Sequence, residues 1–235
     1  MRGITKKLWK TVQKALKWSR ISLPSFWRRD TLDTVQVEPE KPIESTADQE
    51  TNPSTLPIGS RWAISTIDLS GTWKPIITPE FKKQYDTYLE HCGEGIFFRK
   101  ALLAAIGIAK EVYEQRDHGR ELSIKGITPI NQWERTLRAS GAEQDHPDYE
   151  PTFTSFRDPD GDTVEVEAWW EENGTVHRSM LRGKPRVKGG VFESRRYLLP
   201  EDDNVLVCES TFHPPTDLAG SKFQEDTVEW RFQRE

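Results

Sequence analysis

"TPEFKKQYDTYLEHCGEGIFFRKALLAAIG", residues Thr78 to Gly107, is the stretch whose reading decides the fold. Phe81, Tyr85, Tyr88 and Leu89 are spaced for one face of a helix, Thr78 is placed as its N-cap with Pro79 at the first helical position, and Gly93 is its stop. A second helix runs from Ile96 to about Ile106 and ends at Gly107, so the pair forms a helical hairpin joined by a glycine turn. Before the hairpin, "DLSGTWK" (Asp68 to Lys74) opens a single strand. After it come "KEVYEQ", "ELSIKGI", "QWERTLRA", "TFTSFR", "TVEVEAWW", "TVHRSML", "VFESRRYLL", "VLVCESTF" and "TVEWRFQR", short alternating runs punctuated by turn residues. Asn173-Gly174 predicts a two-residue hairpin turn of type I′. One strand, a helical hairpin and about nine further strands predict a mainly β chain: a ten-stranded antiparallel up-and-down barrel capped by a helix-turn-helix. Closure removes the sheet edges that would invite aggregation.

Outward from the barrel, the charge is distributed in three blocks. Residues 1–30 hold nine Lys and Arg against Asp30, a net of +8; residues 31–58 hold six acids against Lys41, a net of -5; residues 59–235 hold 23 basic and 31 acidic residues, a net of -8. Together they give the whole-chain charge of -5. On a helical wheel, Ile4, Leu8, Trp9, Val12, Ala15 and Leu16 fall on one arc, and Lys6, Lys7, Lys10, Lys14, Lys17 and Arg20 on the other. Such a helix suits an anionic membrane surface, each lysine contributing about 1 kcal/mol there; an organellar presequence has the same character and is the alternative. Nucleic acid is not an expected partner, because the acidic remainder repels phosphate. Residues 31–58, rich in Pro, Thr, Ser and acids, lack the periodic apolar positions that would offset their ordering entropy and read as a disordered linker. The domains are thus 1–30, 31–58 and a barrel at 59–235.

Two cysteines, Cys92 and Cys208, argue against a disulfide framework and for free thiols in a reducing compartment. No apolar run reaches the roughly 20 residues a spanning helix needs, and lysines interrupt the uninterrupted apolar core a secretory signal would require. A cytoplasmic protein is expected, membrane-associated through residues 1–30, or organellar if they are a presequence. A phosphate-binding Gly loop, a Gly-x-Ser-x-Gly elbow, HExxH and Cys/His pairs at metal spacing are all missing, so neither an enzyme nor a metal or other cofactor is expected. His91, His118, His146, His177 and His213 stand apart from other metal-ligand residues.

The local matches lie in one order. "GTWK" at Gly71, "YDTYLEHCGEGIFFRK" from Tyr85 to Lys100, "YEQRDHGRELSIK", "EENGTVHR" and "EDDNVLVCEST" resemble successive segments of the cytosolic fatty-acid-binding proteins of the calycin group, lipocalin-like barrels, and span roughly residues 68–235. The resemblance implies a noncatalytic intracellular carrier with a fatty acid or other small lipid inside the barrel. The alternatives are a membrane-tethered protein-interaction module with a filled barrel, and an organelle-imported calycin-type isomerase-like protein. The chain departs from the family in its longer spacing from Trp73 to Tyr85 and in extra loop at "GAEQDHPDYEPT" and "HPPTDLAGSKFQED". The last strand, "VEWRFQR", lacks the family's Arg-x-Tyr pair for the ligand carboxylate and offers Trp230 and Phe232 instead.

The family's other cavity arginine corresponds to Arg195 or Arg196, whose side chains must face opposite ways. Arg196 is the expected inward one, sharing a face with Phe192, Ser194 and Leu198, where its guanidinium would pair with a carboxylate or phosphate. At the Asn173-Gly174 hairpin the alternation puts Val164, Val166, Ala168, Trp170, His177 and Leu181 inside, while the family comparison puts Arg178 and Met180 there; a one-residue slip separates the two. The expected ligand-binding set is Arg196, Arg178, Met180, Trp230, Phe232 and Phe97.

Overall fold

The computed structural model of the chain describes residues 61–128, 132–141, 153–157, 162–216 and 222–235. The expected basic helix and acidic linker lie outside these residues, as do residues 142–152 of the first extra loop and 217–221 of the second. Ten strands occur among the described residues: β1 (Gly71–Pro75), β2 (Lys110–Arg116), β3 (Glu121–Ile127), β4 (Gln132–Arg138), β5 (Phe153–Arg157), β6 (Thr163–Glu171), β7 (Val176–Arg182), β8 (Val191–Leu199), β9 (Asp202–His213) and β10 (Asp226–Arg234). They form one antiparallel sheet in the order β4-β3-β2-β1-β10-β9-β8-β7-β6-β5, an up-and-down path in which the pairing of β1 with β10 joins first strand to last. The two ends of that order meet loosely: the Arg138 amide donates to Thr154 Oγ1 at 3.4 Å, and beyond it the Ser140 amide donates to the Ala168 carbonyl at 2.6 Å. The result is a nearly closed barrel, capped by a helix pair as the sequence predicts.

Helices α1 (Pro79–His91) and α2 (Ile96–Ala105) lie between β1 and β2. Thr78 caps α1 by accepting from the Phe81 amide at 3.1 Å, an interaction that contributes roughly 1 kcal/mol. The conspicuous charges of the hairpin sequence tie the two helices together, since Asp86 meets both Arg99 (3.3 Å) and Lys100 (2.8 Å). The apolar face of α1 closes the barrel's upper mouth: the Phe81 and Tyr85 rings each stand edge-on to Trp230 of β10 with centroids 4.8 Å apart. Phe98, Leu102, Phe212, Phe223 and Val228 complete this cluster.

The opposite mouth is closed by the segment before β1. Trp62 exchanges both backbone hydrogen bonds with Trp170 at 2.8 Å, extending the sheet where β5 has ended. Gln115, inward on β2, accepts from the Leu69 amide and donates to the Ile67 carbonyl, and Trp73 Nε1 reaches back to the Leu69 carbonyl at 2.9 Å. The "GTW" motif therefore seals the floor of the barrel. Gly71 is required there: its φ is +148°, and a Cβ would lie 2.9 Å from the Arg234 guanidinium that donates to the Ser70 carbonyl.

The turn at Asn173-Gly174 differs from the type I′ expectation. Glu171 pairs with Val176, leaving four residues in the loop, and Glu172, Asn173 and Gly174 all have positive φ. The β2–β3 turn repeats this at Asp117, His118 and Gly119. Both turns are gripped by the same floor segment, through the Ser65 amide on the His118 carbonyl and the Thr66 amide on the Gly174 carbonyl. A tertiary contact invisible to a local reading sets the turn type.

Candidate binding site in the barrel interior

One row of laterally paired residues crosses the inside wall: Trp170 of β6, His177 of β7, Arg196 of β8, Cys208 of β9 and Trp230 of β10. With side chains alternating along each strand, this register turns Ser179 and Leu181, Ser194 and Leu198, and Leu206 and Phe232 inward as well. Across the barrel, the β1-β2-β3-β4 register brings Trp73, Glu111, Tyr113, Ile124 and Arg135 to the same interior.

Arg196 is inward and 2 % exposed, donating to Ser179 Oγ at 3.0 Å. Trp230 and Phe232 are inward and stacked, centroids 6.0 Å apart. Arg178 and Met180 point to the outer face, as the plain alternation on β7 had it. Arg178 there meets Glu171 at 2.8 Å and Glu193 at 2.9 Å, and Met180 is buried opposite Glu193. Phe97, on the first turn of α2, is 79 % exposed and away from the interior. Arg195, the neighbour of Arg196, is also outward, meeting Glu209 and Glu172 at 3.0 Å each.

Arg135 is the interior residue that the sequence reading missed. Its signal is present in "QWERTLR", where period-two alternation sets Arg135 on the apolar face between Trp133 and Leu137. The Trp133 indole lies across Gly126 of β3, where any Cβ would approach the ring to 2.2 Å, and its face is 5.2 Å from the Arg135 guanidinium. Burial and the like charge of Arg196 both push the Arg135 pKa below the ordinary arginine value.

Among the described residues, neither Arg135 nor Arg196 has a carboxylate within ion-pair distance, and the Nε atom of each is buried without a hydrogen-bond partner. Glu111 is the inward carboxylate nearby, and it accepts from Tyr113 Oη at 2.9 Å. Between Arg196 and Trp170, His177 is fully buried, stands edge-on to the indole at 5.0 Å, and has both ring nitrogens unpartnered. Burial, reinforced by the two guanidiniums, drives its pKa well below 6.5, so the ring is neutral. Burial raises the Cys208 thiol too, keeping it protonated at neutral pH.

Several inward residues are nevertheless partly accessible: Glu111, Arg135, Leu181, Ser194, Leu198 and Trp230. Inward direction combined with accessible surface is what side chains around an internal space show, whereas a barrel filled by its own side chains would bury them. The described residues include no cluster of His, Cys, Asp and Glu that could hold a metal, and no helix among them is long and apolar enough to cross a membrane.

No protein-family model matches the chain, and no curated protein does. Solved structures similar to it include human cRBP IV, at 15% identity and a TM-score of 0.47, covering 72% of this chain and 99% of that one. The REP1-NXSQ fatty acid transporter stands at 15% and 0.45, covering 72% and 96%. The lipid binding protein 8 of Caenorhabditis elegans, in its apo form, stands at 14% and 0.48, covering 73% and 99%.

Proposed function

We propose that the protein is a noncatalytic carrier that holds one small amphipathic lipid, such as a fatty acid, inside the barrel. The observation that carries this reading is the partly accessible inward ring surrounding guanidiniums that have no carboxylate partner. Glu111 is one carboxylate against the two guanidiniums, so one buried cation is left without a counter-charge, which costs several kcal/mol, and a ligand anion removes that cost. Arg196 and the polar groups around it would receive the head group. Leu181 and Trp230 would line the path of the apolar tail toward the helical cap, with Leu198 and Phe232 beneath the head group on the floor side. Arg178, Met180 and Phe97 take no part in the pocket, for they face outward.

The test is displacement of anilinonaphthalene sulfonate from the full chain. A long-chain lipid should displace the dye at about one equivalent, and retention of the dye against every lipid tried would refute the carrier reading. Residues 1–30 would place the carrier at an anionic membrane surface. Sedimentation with anionic vesicles should then be lost on deleting them and weakened by salt, while sedimentation that ignores lipid charge would remove the anchor.

A further inference from the structure

We propose that Arg135 of β4, and not Arg196 alone, is the charged contact that selects the ligand, and that the site selects a head group with one negative charge and at least two acceptor oxygens. This rests on the carrier reading above and adds to it the residue and the charge.

Three observations converge on Arg135. Its register turns it into the interior opposite Ile124. It keeps accessible surface there, whereas Arg196 is 2 % exposed and already committed to Ser179. Its Nε is buried and unpartnered, and no ion pair compensates it among the described residues. Arg196 forms the fixed back of the site and Arg135 the side that a ligand meets.

The charge follows from the groups that share the space. Arg135 and Arg196 bring two positive charges, Glu111 one negative charge, and His177, Tyr113 and Cys208 are neutral at neutral pH. One positive charge is left over, and a monoanionic head neutralises it. The unpartnered donors on two guanidiniums approach from opposite walls, so the head must offer more than one acceptor oxygen. A carboxylate meets both conditions. An alcohol lacks the charge, and a dianionic phosphate overshoots it.

An uncompensated cation has a second signature, in the ligand-free protein. Replacing Arg135 by an apolar residue of similar length should raise the melting temperature of the empty protein while it weakens anion binding, because the site carries charge for the ligand at the expense of the fold. The experiment is calorimetric titration of the full chain with hexadecanoate, hexadecanol and hexadecyl phosphate, for the unaltered protein, Arg135→Met and Arg135→Lys, with thermal unfolding of each ligand-free form. The unaltered protein should prefer hexadecanoate over both others. Arg135→Met should bind hexadecanoate roughly ten- to a hundredfold more weakly, bind hexadecanol unchanged, and melt higher when empty; Arg135→Lys should recover part of the preference. Hexadecanoate affinity unchanged in Arg135→Met, or a lower melting temperature for that variant, overturns the assignment of Arg135 while leaving a carrier in place. Equal binding of hexadecanol and hexadecanoate by the unaltered protein overturns the charge selection. Failure to bind any of the three refutes the carrier reading itself and this inference with it.

Discussion

Strands β6 to β8 present two faces whose charges are treated in opposite ways. Outside, Arg178 lies between Glu171 and Glu193, Arg195 between Glu172 and Glu209, and the fully buried Trp169 ring has the Arg61 guanidinium 4.1 Å and the Arg178 guanidinium 5.4 Å from its centre. Inside, one residue along the same strands, neither Arg196 nor His177 forms an ion pair among the described residues, and Glu111 of β2 acts on Arg196 only at longer range. The outer face is arranged so that its own groups satisfy one another. The inner face withholds such partners, which is how a fold keeps electrostatic energy in reserve for something that arrives later.

The largest effect that would break this comparison is on the outer face. Arg178→Ala takes the shared cation from two buried glutamates, leaving Glu171 with Trp169 and a distant Arg195 and Glu193 with His213, and should lower the unfolding free energy by roughly 2–4 kcal/mol in urea titration, with lipid affinity unchanged. A loss of affinity at unaltered stability would move Arg178 into the site. Next in size is Arg196→Ala, expected to weaken an anionic lipid by roughly 1.5–3 kcal/mol with the fold kept; dye displacement measures it, and equal affinity for every anionic lipid would remove the residue from the site.

The two faces also differ in their histidines. His177 has its pKa driven below the unfolded value by burial, so the unfolded chain binds more protons at acid pH. Stability present above about pH 6.5 should therefore fall as the pH drops, by up to about 1.4 kcal/mol per unit for this one group. His213, outside, donates to the Glu193 carboxylate at 2.9 Å and, when protonated, to Glu225 at 3.1 Å, and the Glu193 bond raises its pKa. Its contribution has the opposite sign, present in full below about pH 6.5 and lost as pH rises through its folded value. His177→Gln should flatten the fall in stability below about pH 6.5, and His213→Gln should remove a fall in stability that sets in as the pH rises above about 6.5; the reverse pattern would contradict the facing of both. Smallest is Phe97→Ser, on neither face, which should shift stability by less than about 0.5 kcal/mol in the same unfolding assay.

How legible this was depended on the range of the interaction that decides each feature. The helix pair was written in Thr78, Pro79 and Gly93, and the strands in two-residue alternation, because both are local. The inward direction of Arg196 followed from its sharing a face with Phe192 and Leu198. Arg178 and Met180 were drawn inward only by the family comparison, and the plain alternation of β6 and β7 gave the observed facing. The left-handed loop at Glu172–Gly174 was beyond local reading, since Ser65 and Thr66, a hundred residues earlier, hold it. Arg135 was legible in "QWERTLR" and easily passed over, because a lone cation on an apolar face looks like an exposed strand charge until the barrel closes around it.

The most direct test is mass spectrometry of what travels with the protein: the full chain purified without added lipid, extracted into organic solvent, and its small molecules identified and counted. The account predicts close to one equivalent of a monoanionic amphiphile, lost in the Arg135→Met, Arg196→Ala double variant. A chain that carries only neutral lipid, or the same anionic lipid in the double variant, would contradict an interior whose unpaired cations are kept for a ligand.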